Sequence, residues 1–208
     1  MPIAKGQPWG ERGPFPDDGV VVASDADARS VVEEARRARR AVPALGLVGG
    51  DLYRTLGGSG GEGDGGGEGR LRSLGGVRFQ VDLGEALLDG RIHFFVAHLV
   101  ARARFWTRAF VAMNAQWVGA WNLGPRAHPG DGLLDTYEAR LPLTQVLAVR
   151  SRVHHGAHLP HPGIEERRVP AIQVDLRRPL GVFLDGSRVG VARHIAVRVE
   201  PDALLVVV

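Results

Sequence analysis

The spacing of apolar positions changes character part-way along this chain. Near the amino terminus, Gly19-Val20-Val21-Val22-Ala23 is a short continuous apolar run, the pattern of a strand buried on both faces. Ala28, Val31, Val32, Ala35 and Ala38 then recur at helical spacing, while Glu33, Glu34, Arg36, Arg37, Arg39 and Arg40 fill the other face. Ser24 or Asp25 stands where an N-cap is needed, and Pro43 ends the helix. Ala44-Leu45-Gly46-Leu47-Val48 supplies a second buried strand, which completes a βαβ unit over residues 19–56.

Two stretches around that unit lack any period. Residues 1–18 are rich in Pro and Gly and read as an extended arm. Residues 57–70 include GGSGGEGDGGGEG, which offers nothing apolar to bury, and read as a flexible linker. A phosphate-binding loop would need a strand before it and a helix after it, and the linker is expected to have neither.

Residues 71–208 follow a different rule. Short or alternating apolar runs at 77–83, 92–100, 109–114, 133–139, 169–176, 182–184, 194–199 and 204–208 are separated by Gly, Pro and Asp turns. One helix interrupts them at residues 143–153, opened by Pro142. The expected fold class is α+β, with a small Rossmann-like βαβ layer followed by a larger β-sandwich.

Composition narrows the chemistry. A chain of 208 residues, 44% hydrophobic, has ample length to bury a core. Lys5 is the lone lysine, so the pI of about 10.1 comes from arginine, which binds phosphate bidentately but also follows codon bias. Arg36, Arg37, Arg39 and Arg40 share their helix with Glu33 and Glu34, the mark of a solvated surface, so a nucleic-acid partner is not expected. Trp106, Trp117 and Trp121 fit either base stacking or core and interface packing. With no cysteine, a metal would need His and carboxylates. His154, His155, His158 and His161 could converge on Zn²⁺ or form an exposed loop. No segment reaches the roughly 18 apolar residues of a membrane span, and Met1 to Gly10 has no leader pattern, so a cytoplasmic location is expected. Phe94, Phe95, Arg102, Arg104, Phe105 and Trp106 form an aromatic and basic stretch suited either to peripheral membrane contact or to a buried strand followed by a turn.

Two turns carry the most specific signal. His128-Pro129-Gly130-Asp131-Gly132-Leu133-Leu134-Asp135 and Leu184-Asp185-Gly186-Ser187 each set an aspartate beside glycine between strand-like runs. Their order and spacing resemble the carboxyl-terminal domain of the bacterial diacylglycerol kinase and lipid kinase family, relatives of the NAD kinases. The resemblance implies a β-sandwich of that type and ATP-dependent transfer of phosphate to a lipid hydroxyl.

Carried over residue by residue, the resemblance is incomplete. The family's GGDGT motif falls on Ala23-Ser24-Asp25-Ala26-Asp27, which keeps only Asp25 and adds a second acid, so ATP in the family's pose is disfavoured. The family's PLGTGNDFAR run is echoed, shortened, from Leu45 to Gly57. The implied phosphate-side residues are therefore Asp25, Gly49, Gly50, Asp51 and Arg54. The family's first strand and adenine-side loop would need several tens of residues before Gly19, where this sequence has the arm. A structural Mg²⁺ in some relatives maps to Asp131 with the main-chain carbonyls of His128 and Leu133. The competing reading is that Asp131 simply caps its own turn. The family's DGE turn falls on Asp185-Gly186-Ser187: Asp185 is the candidate base, and Ser187 replaces the glutamate. Asp185-Gly186 equally suits a type I′ hairpin turn.

Two functions follow as expectations. One is a degenerate lipid-kinase-like protein that binds a lipid, nucleotide or protein partner without efficient catalysis. The other is an active lipid kinase, with Asp25 near Mg²⁺ and phosphate, Arg54 or Arg126 compensating for lost contacts, and a site completed in a homo-oligomer.

Overall fold

The computed structural model describes residues 9–58, 67–74 and 76–208. In chain order, β1 (Glu11–Gly13), β2 (Val20–Val22), α1 (Asp25–Arg37), β3 (Leu45–Leu47), α2 (Asp51–Thr55) and α3 (Gly67–Leu74) lead into β4 (Gly76–Leu88) and β5 (Arg91–Phe95). They are followed by β6 (His98–Arg102), β7 (Arg108–Met113), β8 (Trp117–Val118), β9 (Trp121–Asn122), β10 (Leu134–Arg140) and α4 (Leu143–Val153). The last strands are β11 (Ile164–Val169), β12 (Ala171–Leu184) and β13 (Ser187–Val207).

Ser24 sets the start of α1: its hydroxyl accepts the Asp27 N–H at 3.1 Å, which satisfies a donor the helix itself cannot. The helix ends before Pro43. Arg39 adopts φ 53° and the Arg40 N–H reaches back to the Ala35 carbonyl at 2.9 Å, a Schellman closure made without glycine. Ala28 and Val32 pack with Leu45, Leu47 and Leu52, and Ala35 is also buried. Burying a Val or Leu side chain of this kind is worth about 1.5–3 kcal/mol.

The strands form one large sheet in the order β1-β4-β13-β12-β6-β7-β10-β11, with β5 on β4, β3 parallel to the end of β13, and β2 parallel to β3. β4 and β13 run through two cores. Phe79, Val81 and Leu83 join the core beneath α1, whereas Ala86 and Leu88 join the sandwich core with Phe95, Phe110 and Ile195. The change from odd to even positions is the period-2 signature of a strand covered first on one face and then on the other. A register shift between Glu200 and Leu204 makes the same adjustment in β13.

Several expected boundaries are corrected. The run at 92–100 is two strands, because the chain leaves β4 and joins β7 and β12 across Val96 and Ala97. The runs at 169–176 and 182–184 become one strand, β12, with a register shift that absorbs Pro179, a residue unable to donate to a ladder. Part of the arm forms β1, which pairs with β4. Of residues 57–70, expected as a linker, 59–66 lie outside the described residues. Gly67 to Arg70 instead open α3, anchored by Leu71, which is buried against Phe15, Ala44 and Val207.

Gly84 leaves room for its cross-strand partner: a Cβ there would stand 2.2 Å from the buried Phe95 ring. Gly84→Ala is expected to lower the unfolding free energy by about 1–3 kcal/mol in urea titration through overpacking. That sign is opposite to the gain an unstrained Gly→Ala change brings through the unfolded chain.

Candidate functional site

Four chain segments meet where the two cores join. Asp25 opens α1, Asp51 opens α2, His98 opens β6, and Asp185 begins the turn between β12 and β13. Asp185 and Gly186 have φ values of 50° and 79°, the type I′ geometry the Asp-Gly pair favours. The turn lifts the Asp185 carboxylate into the corner between β5 and β6, where it accepts the N–H groups of Val96 (3.1 Å), Ala97 (2.9 Å) and His98 (3.1 Å). Asn114 fixes the same corner by donating to the Val96 and Asp82 carbonyls, each at 2.8 Å.

Asp25 does for α2 what Asp185 does for the corner. Its carboxylate accepts the Asp51 N–H at 2.5 Å and the Leu52 N–H at 3.1 Å, which neutralises the first turn of α2. The approach depends on glycine. A Cβ on Gly49 would meet the Ala23 carbonyl oxygen at 2.5 Å, and one on Gly50, at φ 100°, would meet Asp25 Oδ1 at 2.6 Å. Asp51 turns the other way: its carboxylate accepts from His98 Nε2 and from the Gly119 N–H, both at 3.0 Å. Arg29 closes the group by donating to the Leu184 carbonyl.

Burial and mutual repulsion decide the charges. Burial, and then the Asp185 charge, push the Asp25 carboxyl up to about 6. Burial also raises Asp185. Burial alone would lower His98, but the Asp51 hydrogen bond and the Asp185, Asp51 and Asp25 charges outweigh it and raise the imidazole. Asp51 is lowered, because the bonds from His98 and Gly119 overcome its own burial. The group therefore centres on an imidazolium–carboxylate pair flanked by two carboxyls that resist ionisation.

The other sequence-predicted residues lie elsewhere. Arg54 stacks over the Trp117 ring at 3.4 Å and donates to the Gly119 carbonyl at 3.2 Å, bracing the β8–β9 hairpin. Ser187 begins β13 opposite Leu184. Asp131 accepts the Leu133 N–H at 3.0 Å, the turn-capping arrangement, and its other oxygen pairs with Arg168. His128 accepts the Gly130 N–H at 3.3 Å and packs on Trp9. Among the described residues no three His or acidic side chains are grouped to hold a metal ion. Arg36 bonds both Glu200 oxygens at 2.7 Å and Arg40 bonds Glu34 at 3.2 Å, as a solvated helix surface would.

Sequence reasoning missed His98, Arg29 and Gly119. His98 had a signal, a polar residue inside an apolar run. The other two act through main-chain contacts that leave no pattern.

A cavity of about 710 Å³ opens on the same face of β6. Its walls come from β7 and β10, the β8–β9 hairpin and α4, with Trp106 and Trp121 in edge contact at 5.3 Å. His98, Val100 and Arg102 alternate along that face, so His98 marks the acidic end and Arg102 the cavity end, about 13 Å apart along the strand. The β8–β9 hairpin spans both, offering Gly119 to Asp51 and Trp121 to the cavity.

Residues 85–208 match the YegS C-terminal NAD kinase beta sandwich-like domain. The chain belongs to the diacylglycerol kinase and lipid kinase-like family. Solved structures agree on the fold. A candidate diacylglycerol kinase from Bacillus anthracis str. Sterne superposes with a TM-score of 0.68 at 13% identity, over 91% of this chain and 78% of that one. A diacylglycerol kinase from the same organism gives a TM-score of 0.64 at 16% identity, over 91% and 76%. A comparison with curated protein sequences finds no match.

The charge pattern fixes a pH dependence. Asp25, raised from 3.8 to about 6, adds stability that is complete below 3.8 and lost as pH rises through about 6. His98, raised above 6.5, adds stability present below 6.5 and lost on the alkaline side. Asp51, lowered from 3.8, adds stability present above 3.8 and lost as pH falls through its folded pKa. Thermal melts are expected to show stability declining between about pH 4 and 6 as Asp25 ionises, and again above about 6.5 as His98 loses its proton. Asp25→Asn should flatten the first decline and His98→Asn the second.

Proposed function

We propose that this chain is a lipid-binding, kinase-like protein that does not transfer phosphate efficiently. One observation carries the reading: the main-chain N–H groups at the start of α2, where an anion would otherwise be received, already donate to the Asp25 carboxylate. A polyphosphate placed there would displace an internal carboxylate and lie close to Asp51 and Asp185, a repulsion strengthened by burial. Asp185 as a general base would have to give up three main-chain hydrogen bonds to reach a substrate hydroxyl. The apolar cavity on the same strand face supports the lipid half of the reading, since its volume lies in the range of small-molecule sites, about 300–1,000 Å³.

An active ATP-dependent lipid kinase with Asp185 as base is the second reading. It draws on the convergence of Asp25, Asp51 and Asp185 on one imidazole, and on the raised pKa of Asp185, which suits a proton acceptor.

Isothermal titration with ATP and Mg²⁺ separates the two. No saturable heat is expected at millimolar nucleotide. Asp25→Ala, which frees the Asp51 and Leu52 N–H groups, is expected to gain measurable affinity for inorganic phosphate. Saturable ATP binding by the unmodified chain, with ADP release on adding diacylglycerol, would establish the kinase instead.

A further inference from the structure

Helix α4 is poorly supported by the protein around it. Leu143, Val146, Leu147 and Arg150 fall at the i, i+3, i+4, i+7 spacing of one stripe, and all four line the cavity. Only Val153 of this helix is buried, while Leu143 and Leu147 are 58% and 69% exposed. Helices of this length take most of their stability from packing an apolar face, and here that face looks across a cavity. An apolar chain laid in the gap would give the helix the contacts it lacks.

The polar groups around the cavity specify what such a chain carries. The lining includes Arg102, Arg104 and Arg150 but no aspartate or glutamate. Among the described residues none of the three arginines forms an ion pair. They rest instead on aromatic rings: Arg102 on Trp106 at 4.9 Å, Arg104 on Phe105 at 5.1 Å, and Arg150 on Trp121 at 5.4 Å. Arg102 donates one N–H to the Arg104 carbonyl at 3.3 Å; otherwise stacking holds each guanidinium in place and leaves its donors available to an anion. Tyr137 and His158 also line the cavity, and among the described residues the Tyr137 hydroxyl has no hydrogen-bond partner.

We infer that the cavity binds a single-chain amphiphile with an anionic headgroup, a carboxylate or a phosphate monoester, with its chain beneath α4 and its charge on the arginines. The inference rests on the lipid-binding reading above and adds the sign of the headgroup to it. A neutral lipid alcohol leaves the arginines without a counter-charge, and a cationic amphiphile is repelled by them.

The test uses chain-matched probes below their micellar concentrations, titrated calorimetrically into the full chain: laurate, dodecyl phosphate, dodecanol and dodecyltrimethylammonium. The two anions are expected to bind about tenfold or more tighter than the neutral and cationic probes, and their relative affinities separate a fatty-acid site from a lipid-phosphate site. Arg104→Gln combined with Arg150→Gln, both on exposed side chains, should remove most of that preference while leaving the melting curve intact. Val146→Glu should abolish anion binding. Hydrogen exchange should slow in α4 on adding dodecyl phosphate. If dodecanol binds as tightly as the anions, the headgroup inference falls and the lipid-binding reading stands. If no probe of any charge binds, both fall. Neither outcome depends on whether ATP binds.

Discussion

The structure depends on one buried carboxylate taking the place of a strand. At Val96 and Ala97 the chain leaves one strand pairing and begins another, and a corner of that kind strands its N–H groups away from water. Asp185 accepts three of them from the tip of the β12–β13 hairpin. Each buried donor left unmet costs about 1–3 kcal/mol, so the carboxylate is worth far more to the fold than a solvated aspartate would be. It also joins the two cores, because the corner belongs to the sandwich on one side and to the layer beneath α1 on the other.

The same logic governs Asp25 and gives the site its character. A loop-to-helix junction with exposed N–H groups attracts anions, and this chain meets that demand internally. The result is a centre that is electrostatically closed: two carboxyls bound to main chain, one carboxylate bound to an imidazole, and an arginine on a carbonyl. Such an arrangement organises the junction from the chain's own groups. The lipid-sized cavity lies further along the same strand and is governed by a separate set of arginines.

How much of this could be read in the sequence depended on the range of the interaction responsible. α4 lies at 143–153 as expected, because Pro142 fixes its start locally. The helical spacing from Ala28 to Ala35 located α1, and Asp185-Gly186 announced its own turn. The corner at residues 96 and 97 was invisible, since apolar residues flank it on both sides and only a carboxylate far along the chain reveals that the ladder stops. α3 was hidden by its glycines, which carry no helical signal until Leu71 finds Phe15 and Val207. Asp25, Asp51 and Asp185 could be named as a set from family resemblance. That Asp25 faces main chain while Asp51 faces His98 is set by tertiary packing, which spacing does not encode.

β13 has one more consequence, for how this chain acquires its structure. Its early residues complete the sandwich with β12 and β4, and its late residues supply the parallel partner of β3. Strands made early in synthesis must therefore wait for one made much later. Closing such long loops before any contact rewards them slows folding towards the millisecond-to-second regime of sheet-rich domains. Until then the edges of β3 and β4 stand open, and an emerging chain in that condition has most need of a chaperone.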